Sequence, residues 1–293
     1  MAADNIKTRS DPTGLRDPPG LPFGQRFNLF WRTVVARAYP RVVGQQREKS
    51  WMFFEIALPV LITCSYVFVY KAIGAAPQFV GFVVLGGAMS AFWLNVLWAM
   101  SSQLYWEKQQ GNLALYIAAP NSMMAILLGM ALGGLLATSL RAIVIVITGS
   151  ALFGVTYSGA TLLPALVVFL LTMVALYGLG MLFASVFLLF GREAWHTSNL
   201  LQEPVYLVSG FYFPIKSLPG WVAAVGALIP VTLGLDAMRQ LLFADSSTGF
   251  LPVSTEAVIL AVLGVVFLVV SKWALDYLEM LARREGRLTE RRR

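Results

Sequence analysis

Residues 142–191 read AIVIVITGSALFGVTYSGATLLPALVVFLLTMVALYGLGMLFASVFLLFG, fifty positions without one Asp, Glu, Lys or Arg. A helix needs about 20 apolar residues to cross a hydrocarbon core. This run holds the end of one span, a turn over 154–159 and a second complete span. The whole chain agrees with it. Of 293 residues 58% are hydrophobic and 13% charged, and the mean hydropathy is +0.71. Soluble domains carry about 25% charged residues, so roughly half of the usual solvating charge is missing. Disorder, a coiled coil and a soluble nucleic-acid-binding domain are excluded as classes. The composition is that of a membrane protein.

Two more uncharged runs precede it: 35 positions over 72–106 and 32 over 109–140. Each holds one span and some loop. The reading is an all-α polytopic membrane protein with six transmembrane segments. They fall near 52–70, 79–106, 123–152, 162–190, an interrupted fifth from 197, and 257–275. The placement of Lys and Arg gives the orientation. Nine lie in the first 51 residues, Lys108 and Arg192 sit in the second and fourth loops, and seven follow from Lys272 onward. The other side receives only Lys71, Lys216 and Arg239, while Arg141 lies inside a span. Both termini are therefore expected in the cytoplasm of a multi-pass cell-membrane protein. The net charge of +7 is topological, so no nucleic-acid partner is inferred.

Residues 1–26 contain Pro12, Pro18, Pro19 and Pro22 with no apolar core. They read as a flexible cytoplasmic tail rather than a cleavable signal. Residues 27–50 follow as an amphipathic interfacial helix. On its 27–39 portion Phe27, Phe30, Trp31, Val34 and Ala38 share an arc, and Arg26, Arg32, Thr33 and Arg37 face away. Pro40 is expected to kink or end it. The membrane domain occupies 51–275, and 276–293 form a basic cytoplasmic tail. The fifth segment is broken in the sequence itself. Residues 197–213 contain Glu203-Pro204; beyond Pro214 and Pro219-Gly220 comes the apolar stretch 221–229, closed by Pro230. A helix of about ten residues rises only about 15 Å, half the core thickness. It reads as a short re-entrant or interfacial helix, followed by a second over 233–243. Such broken backbone survives at membrane depth only beside protein or water.

Catalytic constellations are missing. There is no HExxH, His196 is the single histidine and Cys64 the single cysteine, so a metal cluster and a Ser-His nucleophile lack partners. The group Arg192-Glu193 with His196 reads as helix-terminal charge. No GxxxxGK[ST] loop is present to hold nucleotide phosphates. This chain is expected to carry no catalytic, metal or cofactor site of its own.

Two stretches point to a family. The first runs Trp106-Glu107-Lys108-Gln109-Gln110-Gly111-Asn112-Leu113 and on to Ala119-Pro120-Asn121-Ser122. It resembles the loop after the second span of ABC-2-type export permeases. The second has, in order, Ser209-Gly210-Phe211-Tyr212-Phe213-Pro214, Leu218-Pro219-Gly220-Trp221, Ile229-Pro230-Val231-Thr232 and Asp236-Ala237-Met238-Arg239. It is similar to that family's fifth region. Asn112 stands where Thr is common, and Ala114 where Glu is frequent. The resemblance implies a dimer of six-span permeases, as two copies or a heterodimer, seated on ATP-binding cassette subunits that carry ATP and Mg2+. Glu107, Lys108, Gly111, Leu113 and Tyr116 would belong to the coupling helix that meets the ATPase, and 27–39 to the interfacial helix beside it. Substrate would pass between the permease copies.

Among single residues, Glu203 is the acidic group deepest in a span, and such groups face a cavity or bundle interior. It reads either as pathway lining or as a structural carboxyl. Arg141, also within a span, is a candidate partner for it. Phe211, Tyr212, Phe213 and Trp221 join these as candidate pathway or structural residues. Glu55 reads as a headgroup-level charge. Trp93, Trp98, Trp106, Trp195, Trp221 and Trp273 suit an aromatic belt. Gly129, Gly133, Gly134 and Ala137 permit close helix packing. The function expected is the permease of an ATP-driven exporter of a hydrophobic or amphipathic small molecule or lipid. A lipid-linked glycan or polysaccharide exporter is the first alternative. A proton-coupled secondary transporter is the other, disfavoured because no inverted repeat is visible.

Overall fold

The structure is a computed structural model that describes residues 22–47, 49–118, 122–190, 193–243 and 249–285. Of the tails expected over 1–26 and 276–293, residues 1–21 and 286–293 lie outside these residues, while 23–26 and 276–285 are helical; 119–121, Arg192 and the side chain of His196 also lie outside them. Every regular element among the described residues is helical. In chain order they are α1 (Phe23–Arg47), α2 (Lys49–Ala72), α3 (Gln78–Leu94), α4 (Gln103–Gln109), α5 (Asn112–Ala118), α6 (Met123–Phe153), α7 (Leu162–Phe190), α8 (Glu193–Val208), α9 (Gly220–Gly226), α10 (Pro230–Leu242) and α11 (Val253–Glu285).

Five helical stretches are long and apolar enough to cross a membrane: Met52–Ala72, Gln78–Gln109, Met123–Phe153, Gly159–Leu188 and Val253–Leu278. The second combines α3, a π-helical turn at Asn95–Met100, and α4. It is the central helix of the bundle, with Phe82, Phe92, Trp93, Leu97 and Met100 buried. The chain is an all-α polytopic membrane protein, because apolar runs of this length can satisfy their backbone in lipid only as helices. Outside this core, α2 and α11 present Phe53, Phe54, Leu58, Leu61, Val258, Val262 and Val265 outward.

The fifth region is broken, but not where the proline rule places the break. Pro204 lies inside α8, which runs on to Val208. The chain turns instead through residues 209–214, with Gly210 at φ +61°. Helices α9 and α10 follow and meet at 107°, so they form a re-entrant or broken span.

Pro40 likewise fails to end α1, which continues to Arg47. The reason is docking on α6. A Cβ on Gly129 would lie 2.5 Å from the Val34 carbonyl oxygen, and one on Gly133 2.8 Å from that of Ala38 and 3.0 Å from the Arg41 Cβ. Contacts on both sides of Pro40 hold the two halves of the helix on one axis. The small residues 129 and 133 thus serve α1. Of the expected apolar arc, Val34 is buried, whereas Phe27 and Trp31 stay exposed.

Two other expectations change. Trp93 is fully buried, so it does not belong to an aromatic belt, while Trp98 is half-buried and donates its Nε1–H to Gln202 at 2.7 Å. Arg239, expected as a charge on the far side, is buried in the fold.

Candidate functional site

Helices α4 and α5 form a two-helix hook at one end of the central span. Gly111 turns the corner at φ +83°, its N–H bonded to the Lys108 carbonyl at 3.0 Å. A side chain there would cost about 1–2 kcal/mol in the left-handed region. Leu113 anchors the hook in the core, 2% exposed.

The hook is organised around the buried carboxylate of Glu107. Its Oε2 accepts from Tyr116 OH at 2.7 Å and Asn112 Nδ2 at 2.8 Å, and its Oε1 from Gln103 Nε2 at 3.1 Å. The first two bonds close α5 onto α4. Burial, and then the bond to Glu107, push the Tyr116 phenol well above its usual range. It therefore stays a neutral donor at physiological pH.

Two arginines of α1 reach the same cluster. Arg37 stacks over the Tyr116 ring, 4.1 Å from its centroid, although the helical arc placed it on the outward face. Arg41 donates to Gln103 Oε1. Burial lowers the Arg41 guanidinium below its ordinary value, with Tyr177 and Glu107 acting in the opposite direction. Deeper in the bundle, Tyr177 OH donates to Asn95 Oδ1 at 3.0 Å, at the start of the π-helical turn. Arg41 Nε and Asn95 Oδ1 both lie beside Gly134 of α6, so the hook cluster and this inner pair border the same helix.

Of the residues singled out in the hook, Glu107, Gly111, Leu113 and Tyr116 form one unit. Lys108 is half-buried beside it. Gln109, Gln110, Gly111, Trp106 and Leu115 are its exposed side. Arg37, Arg41 and Gln103 were not anticipated as site residues. A signal was there for Arg41, seven residues after Val34 and so on the apolar arc, where a cation calls for a partner; Arg37, read as outward-facing, gave none.

The second group of candidates separates. Arg141 pairs with Glu55, Nη1 to Oε2 at 2.5 Å, tying α6 to α2; it does not meet Glu203. Glu203 faces outward from α8, accepting from Gln202 Nε2 at 3.2 Å. Trp221 is 74% exposed. Phe211 and Tyr212 are buried and Phe213 half-buried in a loop closed over the far end. There Tyr212 stacks on Tyr66 at 4.2 Å between ring centroids, and its carbonyl accepts from Tyr70 OH at 3.0 Å.

Arg239 holds that loop. Its Nη1 donates to the carbonyls of Gly210 (2.8 Å) and Phe213 (3.1 Å), and its Nη2 to those of Phe211 (2.6 Å) and Phe82 (3.0 Å). Gly86 makes room, since a Cβ there would fall 1.6 Å from the Phe211 carbonyl oxygen. One side chain on α10 therefore joins the loop to α3.

The family model for the ABC-2 type transporter matches residues 31–243, a stretch that takes in both the hook and the Arg239 clamp. The chain belongs to the ABC-2 type transporter family. A relative from Escherichia coli K12, named "Probable multidrug ABC transporter permease YbhR", is 23% identical over 158 residues. The aligned part is 53% of this chain and 41% of that protein. The protein of the same name from Escherichia coli O157:H7 aligns equally. The chain thus spans well under two thirds of the length of these relatives.

Proposed function

We propose that this permease exports a hydrophobic or amphipathic small molecule or lipid, driven by ATP hydrolysis on a separate ATP-binding cassette subunit. The observation that carries the reading is the hook. Its interior is fixed by Glu107, while Trp106, Gln109, Gln110 and Leu115 are turned outward on a rigid base. Work done by a moving partner is transmitted only through an element with a defined arrangement. The hook meets that requirement, and α1 ties it to α6.

In this reading the hook and both termini face the cytoplasm, as the Lys/Arg asymmetry argues. ATP and Mg2+ belong to the partner, and the present chain supplies no catalytic group. A second permease copy completes the route. Glu203 supports this, because an ionisable side chain on a membrane helix is costly against lipid and faces a polar cavity instead. In the protomer it is exposed on the outer side of α8, and a cleft between two copies would supply such a cavity. The name of the Escherichia coli relative and the apolar surroundings of α8 favour drug-like or lipid substrates.

The test is reconstitution of the chain with its ATP-binding subunit in liposomes, following ATP hydrolysis and movement of a fluorescent amphiphile. Hydrolysis that rises with the amphiphile, and movement that stops when the partner's nucleotide site is disabled, support the proposal. Movement driven by a proton gradient without ATP would replace it with the secondary-transport reading.

A further inference from the structure

At the far end of the bundle, α10 and the first turn of α11 bring two acidic side chains together in the interior. Asp236 is 3% exposed and Glu256 wholly buried. Both carboxyl groups reach the same Gln240 Nε2, Asp236 Oδ2 at 3.0 Å and Glu256 Oε2 at 3.4 Å.

The donors around them are shared unequally. Asp236 Oδ2 accepts the Phe250 N–H at 2.8 Å and Gln240 Nε2 at 3.0 Å. That same Gln240 nitrogen lies 2.8 Å from the Leu251 carbonyl and 3.4 Å from Glu256 Oε2. An amide NH2 has two hydrogens, so the longest of its three contacts is the weakest. Glu256 Oε1 meets no donor at all. As an ionised group, Glu256 would be a buried charge with the Leu251 backbone and one long amide contact as its donors, next to a second negative charge. Both conditions oppose ionisation.

Among the described residues, the charged and titratable groups of the surrounding elements are placed as follows. Arg239, one turn from Asp236 on α10, supplies one positive charge, and its hydrogen bonds described above run to main-chain carbonyls. Residues 249–252 carry no titratable side chain, and neither does α3. The titratable group of α7, Tyr177, is bonded to Asn95. Arg141 of α6 is paired with Glu55, Tyr157 is bonded to Ser150, and Tyr70 of α2 lies on the Arg239 side. The remaining charges of α11 begin at Lys272, four turns further along the helix.

We propose that Asp236 and Glu256 together bind one proton, forming a carboxylic acid–carboxylate pair that latches α10 to the last span. The proton resides on Glu256 and is donated to Asp236. No other bond forms or breaks. With the proton bound, the Glu256 O–H supplies the donor that this corner lacks, and the pair carries a single negative charge opposite Arg239. Removing the proton leaves two like charges in contact and drives α10 from α11. Because α10 also carries the Arg239 clamp, the loop at 209–213 loosens with it.

The experiment is infrared spectroscopy of the full chain in lipid nanodiscs, read for the C=O stretch of a protonated carboxyl. In neutral buffer a band is expected that Glu256→Gln removes and Glu203→Gln leaves in place. Asp236→Asn should shift its frequency, since the acid then bonds to an amide; this arm also serves if the Glu256 variant does not fold. On raising the pH, thermal stability should fall in wild type in step with loss of the band, and Glu256→Gln should lack that step. A neutral-pH spectrum with no such band, or a band that neither Glu256→Gln nor Asp236→Asn alters, would overturn the proposal.

Discussion

Replacing Tyr116 by Phe removes a single O–H and keeps the ring on which Arg37 stacks. The lost bond is 2.7 Å long and ends on a buried carboxylate. Bonds to charged groups contribute about 1.5–3 kcal/mol. Glu107 keeps Asn112 and Gln103 as donors, so the loss belongs at the lower end, about 1.5–2 kcal/mol. At about 1.4 kcal/mol per factor of ten, the closed hook becomes some tenfold less populated relative to an open one. If the ATP-binding subunit recognises the closed hook, its apparent Kd rises by up to about tenfold, the full factor applying where the closed form is already the minority state. Titration of the purified permease with the ATP-binding subunit measures this. Tyr116→Leu should weaken binding further, because the cation–π contact of about 0.5–1 kcal/mol goes as well. In a double-mutant cycle, Tyr116→Phe should add little once Glu107→Ala is present. Unchanged partner affinity in Tyr116→Phe, or full additivity with Glu107→Ala, would refute the argument that Glu107 holds the docking shape.

Gly129→Leu places a side chain where a Cβ alone would sit 2.5 Å from the Val34 carbonyl. It should cost about 1–3 kcal/mol and expose α1 to limited proteolysis while the spans stay helical by circular dichroism. Arg239→Gln leaves up to four buried carbonyls short of donors. At about 1–3 kcal/mol for each unsatisfied group, a loss of at least about 3 kcal/mol should appear as a lowered Tm in detergent. Glu203→Ala should change protomer stability by less than about 0.5 kcal/mol, as an outward-facing substitution does. Transport by the assembled complex should nevertheless fall, and Glu203→Gln should retain most of it.

The long spans are legible in the sequence because a membrane demands one uninterrupted apolar helix per crossing. The long apolar stretches therefore mark the five uninterrupted helices to within a few residues. Breaks are harder to read. Pro40 and Pro204 both sit inside continuous helices, since the cost of a proline is local and packing across it, as by Gly129 and Gly133 around Pro40, can exceed it. Side-chain partnerships are harder still. The pattern marks Arg141 as a span residue in need of a carboxylate, but only the crossing of α2 and α6 selects Glu55 over Glu203. The hook residues Glu107, Gly111, Leu113 and Tyr116 come from the motif, whereas the part played by Arg37 and Arg41 needs the docking of α1. Arg239 counts as a surface charge in any topological tally. It is buried because four main-chain carbonyls converge on it from segments far apart in the chain.

Site-directed crosslinking from the hook tests the central claim most directly. In a Cys64→Ser background, Gln110→Cys carries a short bifunctional reagent in the complex co-expressed with its ATP-binding subunit, beside Ala160→Cys at the opposite end. The account predicts a crosslink to the ATP-binding subunit from position 110 and none from position 160. A hook that never crosslinks in an assembled, ATP-hydrolysing complex, or a crosslink that forms only from position 160, would contradict it.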